Sequence, residues 1–138
     1  MDAPLNIDEL DLADLVAESG EAAWKGGYFA YGTHGADKST VIYFAVPPGK
    51  RLGKHTDTAE ETQFILGGGG RILLEAGDED IRAGDVIVLE EGKVHDLVNT
   101  GDEDLRVIGF FAAPQVEQHW TEEVWPGAGS VTKSPNLS

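Results

Sequence analysis

The sequence predicts an all-β domain, a sandwich or barrel of short antiparallel strands, and three observations carry that prediction. From Trp24 onward, runs of four to seven residues rich in β-branched and aromatic side chains recur about every ten residues. They are separated at Thr33–Lys38, Pro47-Pro48-Gly49, Gly67–Gly70, Gly77–Asp80, Glu91-Gly92 and Gly101-Asp102. These separators hold residues suited to tight turns or positive φ. No helical pattern interrupts the series, and strands in this arrangement bury their faces only by stacking or closing.

The first regular signal precedes the strands. Asn6 stands as an N-cap with Glu9 at the capping-box offset, and Leu12, Leu15 and Val16 fall on one side, extended by Ile7, Leu10 and Ala13. This predicts a short helix over Asn6–Glu18, packed on the domain and stopped at Gly20. Strands follow at Tyr28–Tyr31, Thr40–Val46, Thr62–Leu66, Arg71–Glu75, Val86–Leu89, His95–Asn99 and Leu105–Phe111. The four glycines Gly67–Gly70 lack the following helix of a phosphate loop and read as a hairpin turn. Pro114–Trp125 reads as an irregular arm that packs Trp120 and Trp125 on the barrel or on a second subunit, and Pro126–Ser138 as a loose tail. The resulting organisation is one domain: residues 1–23 as N-terminal helix and arm, 24–113 as the β core, and 114–138 as C-terminal arm and tail.

With 138 residues, such a domain buries about two-thirds of its unfolded surface and needs no covalent staples. There is no cysteine, which excludes disulfides, thiol nucleophiles and thiolate metal sites and leaves imidazole and oxygen as ligands. Asp and Glu number 25 against 10 Lys and Arg, a net charge of −15, which disfavours nucleic acid and anionic membranes as partners. The carboxylates are spread along the chain, as a solvated surface requires. No apolar run approaches the roughly 18 residues of a membrane span, and Met1-Asp2-Ala3-Pro4 does not begin a signal peptide, so a soluble cytoplasmic protein is expected.

Chemistry concentrates between Gly49 and Gly70, where His55, Asp57, Glu60 and Glu61 precede an apolar-rich strand. Side chains alternate along extended backbone, so His55 and Asp57 share a face, as do Glu61, Gln63 and Ile65, while Glu60 points with Thr62 to the other side. His95 opens a later strand just after a glycine turn and can enter the same interior. Two imidazoles with one or two carboxylates, leaving positions open to water or substrate, suit Fe, Mn, Ni, Cu or Zn. A packed, metal-free role for both histidines is the competing reading. His34 and His119, in a turn and in the tail, are expected at the surface. Tyr28, Tyr31, Tyr43, Phe64 and Phe110 are expected in the core or an interface.

These residues resemble two motifs of the cupin superfamily. Gly49, His55, Asp57, Glu61 and Gly68 keep every spacing of the first motif, G-x5-H-x-H-x(3,4)-E-x6-G, with Asp57 in place of its second histidine. Gly84, Glu90, Gly92, His95 and Asn99 keep every spacing of the second, G-x5-P-x-G-x2-H-x3-N, with Glu90 in place of its proline. The resemblance implies a double-stranded β-helix, or jelly-roll, barrel of the type that often dimerises. It also implies one divalent metal held by His55, Glu61 and His95. Asp57 at the position of the second histidine either joins as a fourth ligand, favouring Fe, Mn, Ni or Zn over Cu, or leaves an open position. Gln63, in phase with Glu61, is a candidate substrate-binding residue. The implied function is a small homodimeric metallo-cupin acting on a small organic molecule, as an oxygenase first and an isomerase or lyase second. The alternative is a non-catalytic ligand-binding or sensor cupin.

Overall fold

The structure, a computed structural model, describes residues 3–121 and 130–135. Within these residues the expected N-terminal helix is absent. Asn6 accepts a hydrogen bond from the Asp8 amide at 2.9 Å, but the helix it starts is a single 3-10 turn, Ile7–Glu9. The chain then enters β1 (Ala13–Val16), with Leu15 buried and Val16 46% exposed. Alternation with period two overrides the helical spacing because β1 finds a ladder partner in β2 (Ala23–Phe29).

The remaining strands are β3 (Thr40–Val46), β4 (His55–Asp57), β5 (Glu61–Gly67), β6 (Gly69–Leu74), β7 (Gly77–Arg82), β8 (Val86–Leu89), β9 (His95–Asn99), β10 (Leu105–Phe111), β11 (Glu117–Trp120) and β12 (Val131–Lys133). They form two six-stranded sheets, ordered β1-β2-β3-β10-β5-β8 and β12-β11-β4-β9-β6-β7, with antiparallel pairing between neighbouring strands. This is a jelly-roll sandwich whose two sheets are separate ladders, not a barrel closed by hydrogen bonds. The C-terminal arm is also more regular than expected. Val116, Gln118 and Trp120 are buried on alternate positions of a segment that adds β11 to β4, and part of the expected loose tail forms β12. Trp125 and the rest of that tail lie outside the described residues.

The glycine run is not a hairpin. β5 and β6 lie in different sheets, so Gly67–Gly70 carries the chain across the edge of the sandwich. Gly68 has φ +78°, and a Cβ there would strike the Asp104 carbonyl; a Cβ at Gly70 would strike that of Val98. The crossing therefore depends on bare backbone at both positions. β7, expected as a turn, is a mostly exposed end strand bound to β6 through the Glu75-Ala76 turn. Between the sheets, Leu15, Phe44, Val46, Leu97, Leu105, Val107 and Phe111 form the centre of the apolar core. Asn99, the last residue of the second motif, is structural: its Nδ2 donates to the Val46 and Glu103 carbonyls and its Oδ1 accepts from the Gly101 amide.

Candidate metal centre

Three strands bring the predicted residues together at one end of this core. β4 and β9 pair with His55 opposite His95, and the two rings meet edge to face with centroids 4.2 Å apart. Asp57 lies two residues beyond His55 on the same buried face, and Glu61 and Gln63 point inward from β5 in the facing sheet. Ligand atoms of His55, Asp57 and His95 lie within 4.8 Å of one another. Glu61 stands at the edge of this group, with Oε1 3.8 Å from His95 Nε2. Glu60 is exposed, as strand parity predicts.

Backbone carbonyls orient both imidazoles. His55 Nδ1 is 2.8 Å from the Gly53 oxygen and His95 Nδ1 is 3.0 Å from that of Lys93. A carbonyl only accepts, so each Nδ1 carries hydrogen, and in the neutral ring the lone pair falls on Nε2. Those Nε2 atoms point at Asp57, 3.6 Å from Oδ1 for His55 and 3.3 Å from Oδ2 for His95. Among the described residues neither Asp57 oxygen has a hydrogen-bond donor, and His95 Nε2 has no partner. Buried lone pairs without donors are costly, and a cation among them removes the cost. The donor set therefore fits a divalent metal of the imidazole and carboxylate class.

Electrostatics at the centre follow from burial and these close charges. Burial lowers His55 to about 4, with the neighbouring His95 acting in the same direction. Burial also opposes charge on His95, but the Asp57 carboxylate outweighs it and raises His95 above the ordinary imidazole value. Burial opposes charge on Asp57, but the two imidazoles and the Gln118 amide outweigh it and hold the carboxyl below the usual carboxylate range. Glu61 behaves in the opposite way: burial first, and Asp57 second, push it up to about 8. Glu61 is therefore a neutral acid at pH 7. Gln63 Nε2 donates to Glu61 Oε1 at 3.1 Å. The other oxygen, Oε2, lies where a Cβ on Gly109 would collide with it, so Glu61 occupies space left by that glycine.

The structure adds residues from the C-terminal arm and from β2. Trp120, opposite His55 in the ladder, lies against the His55 ring with centroids 4.2 Å apart and rings tilted by 30°. Gln118, opposite Asp57, accepts from Tyr28 OH at 2.8 Å and from Thr132 Oγ1 at 3.0 Å, while Thr132 accepts from Trp120 Nε1. Two donors on Gln118 Oε1 fix the orientation of its amide. Tyr28 stays a neutral phenol, raised first by burial and then by Asp57 and Glu61. The alternation Val116, Gln118, Trp120 was the available signal for this strand. On the outer side of β9, buried Asp96 binds Arg51 and accepts from the Gly53 and Leu97 amides, holding the turn that leads into His55. Tyr43 and Tyr28 lie in the core, whereas Phe64 and Phe110 are exposed on the outer sheet face. His119 is exposed, and His34 is half-buried against Tyr31.

Comparisons with known proteins agree with this architecture. The family model for the cupin domain matches residues 42–111. An oxalate-binding protein of Thermotoga maritima is 38% identical over 64 residues, which cover 46% of this chain and 53% of that protein, so the match spans about half the relative's length. Among solved structures, a predicted oxalate decarboxylase from Thermotoga maritima superimposes with a TM-score of 0.71 at 24% identity, covering 80% of this chain and 99% of the other. The polyketide cyclase RemF from Streptomyces resistomycificus gives 0.65 at 19% identity, covering 91% and 87%. At these identities the structural likeness speaks for the fold alone.

Proposed function

This chain belongs to the cupin family, and from that premise we propose that it binds one divalent metal between its sheets and acts there on a small organic molecule. The observation that carries the proposal is the convergence of His55 Nε2, His95 Nε2 and an undonated Asp57 carboxylate in a buried site. His55, Asp57 and His95 are the ligands of this reading, with Glu61 adjacent and Fe, Mn, Ni or Zn the metals that such donors suit. The bound metal supplies a Lewis-acid centre or a site for activating dioxygen. The protein's own part is to aim both Nε2 lone pairs through the Gly53 and Lys93 carbonyls and to keep water off His55 with the Trp120 ring. Glu61 is a neutral acid near pH 7 beside the ligands, with Oε1 accepting from Gln63 and 3.8 Å from His95 Nε2, and is the candidate proton donor of the centre. Gln63 Oε1 is buried without a donor and is the candidate to accept from a bound molecule.

Oxygenase chemistry stands first, with isomerase or lyase second. The name of the oxalate-binding relative favours a second reading, a cupin that binds a small ligand without turning it over. Metal analysis after mild purification tests the shared premise. Wild type is expected to carry about one equivalent of a first-row metal, and the His55→Ala, His95→Ala double variant none; equal content in the two refutes the site. Turnover across a substrate screen, against binding alone, separates the two readings.

The homodimer is a further part of the proposal. Phe64, Val86, Val88 and Phe110 are 41–62% exposed on adjoining strands at the β8 end of one sheet. Among the described residues β8 is the end strand of its sheet, and an antiparallel edge is complementary to its own two-fold copy. Light scattering is expected to give a dimer for wild type and a monomer for Val88→Lys; a monomeric wild type excludes it.

A further inference from the structure

We propose that the centre is built for ligands that are neutral or singly charged and carry an apolar body, and that it discriminates against small dianions. The inference rests on the metal-centre reading above and names the class of molecule that the centre receives.

Charge is the first argument. Two buried carboxylates, Asp57 and Glu61, face the centre, and no lysine or arginine is buried. Seven of the ten are exposed. The three half-buried cations are engaged elsewhere: Arg51 with Asp96, Lys50 Nζ with the Gly20 carbonyl, and Arg106 with the Tyr43 hydroxyl. A divalent metal on Asp57 leaves one positive charge uncompensated, and an ionised Glu61 removes that one too. A singly charged or neutral ligand keeps the buried charge near zero. A dianion leaves at least one negative charge in a desolvated site with no buried side-chain cation to receive it, which is costly.

Access is the second argument. A cleft of about 300 Å³ opens beside the centre, a size at the lower end for small-molecule sites. Leu74, Leu89 and Val94 form its apolar wall, and Glu75, Glu90 and Lys93 bring charges to its rim with one negative charge in excess. Strand register joins the cleft to the centre. Leu89 is directly opposite Glu61, and Leu74 is directly opposite His95. Directly paired residues present neighbouring side chains on one face. A ligand whose polar end reaches the metal therefore lays its other end on Leu74 and Leu89, where an apolar group is favoured and a second carboxylate is not.

Three probes separate these contributions. Oxalate and acetohydroxamate both chelate through two oxygens, with two charges and one respectively, and benzohydroxamate adds an aromatic body to the latter. Mn²⁺-loaded and metal-free protein are titrated with each by calorimetry, and each affinity is divided by that of the same probe for aqueous Mn²⁺. Acetohydroxamate is expected to exceed oxalate by about tenfold or more on this scale, and benzohydroxamate to exceed acetohydroxamate by about tenfold. Leu74→Arg is expected to raise oxalate about tenfold while lowering benzohydroxamate. Oxalate equal to or tighter than acetohydroxamate overturns the inference, as does failure of all three probes to bind loaded protein. Failure of wild type to take up Mn²⁺ at the start refutes the metal centre itself, so the two failures are distinct.

Discussion

Replacing Glu61 by Gln in chelator-treated protein isolates the energetic consequence of burying that carboxyl. Glu61 is 2% exposed, and its folded pKa is raised from 4.5 to about 8 by burial and by Asp57. The folded form therefore holds its proton after the unfolded chain has released it. Between about pH 4.5 and pH 8 the unfolded state binds fewer protons, so this group's effect is a loss of stability as pH rises through that window. At about 1.4 kcal/mol per pKa unit, the loss reaches ~5 kcal/mol by pH 8. Gln keeps the shape and the acceptor for Gln63 but has no proton to lose. Urea unfolding of both proteins, followed by tryptophan fluorescence from about pH 5 to about pH 9, gives the difference directly. The variant's advantage should be small near pH 5, grow with pH and level off above pH 8. A difference that stays constant within about 1 kcal/mol refutes the burial argument.

Asp57→Asn is expected to weaken Mn²⁺ binding by more than the roughly 10–100-fold that outer partners of a metal site cost, read by competition with a chelating dye. Trp120→Ala removes a ring 6% exposed, in contact with Trp24 and His55. It should cost ~3–5 kcal/mol in denaturant unfolding, and a loss below about 1 kcal/mol would place the arm outside the cooperative core. Asn99→Ala strands the Val46 carbonyl in the interior, with an expected loss of roughly 2–4 kcal/mol and unchanged metal content in the folded fraction. Gly109→Ala pushes a methyl into the Glu61 carboxyl. It should destabilise wild type by about 1–3 kcal/mol, and thermal unfolding of both the single variant and its combination with Glu61→Ala should show rescue in the latter.

Four strands, Thr40–Val46, Val86–Leu89, His95–Asn99 and Leu105–Phe111, were legible to the residue. In each, β-branched or aromatic runs meet turn-forming residues at both ends. Strand parity also chose Glu61 over Glu60, because alternation is a property of the local backbone. The N-terminal segment was misread since Leu12, Leu15 and Val16 fit helical spacing, while the competing ladder with β2 is invisible in the segment itself. β7 was misread because Gly-Asp-Glu-Asp has turn composition, yet an exposed end strand is held by backbone bonds to β6 and needs no apolar side chains.

By itself the sequence determined a cysteine-free, acidic β fold with His55, Asp57, Glu61 and His95 as its candidate chemistry. Tertiary structure decided how these residues are arranged. Spacing along the chain places Asp57 and Glu61 equally well, but only the arrangement of β4, β9 and β5 sets Asp57 between the two imidazoles and Glu61 beside Gly109. It also decided that Gln118 and Trp120, more than 60 residues beyond His55 and Asp57, lie opposite them. Periodicity records which way a side chain points within its own strand. Which distant strand it then faces depends on sheet pairing, and at this centre that pairing determines the charge balance and the pKa values.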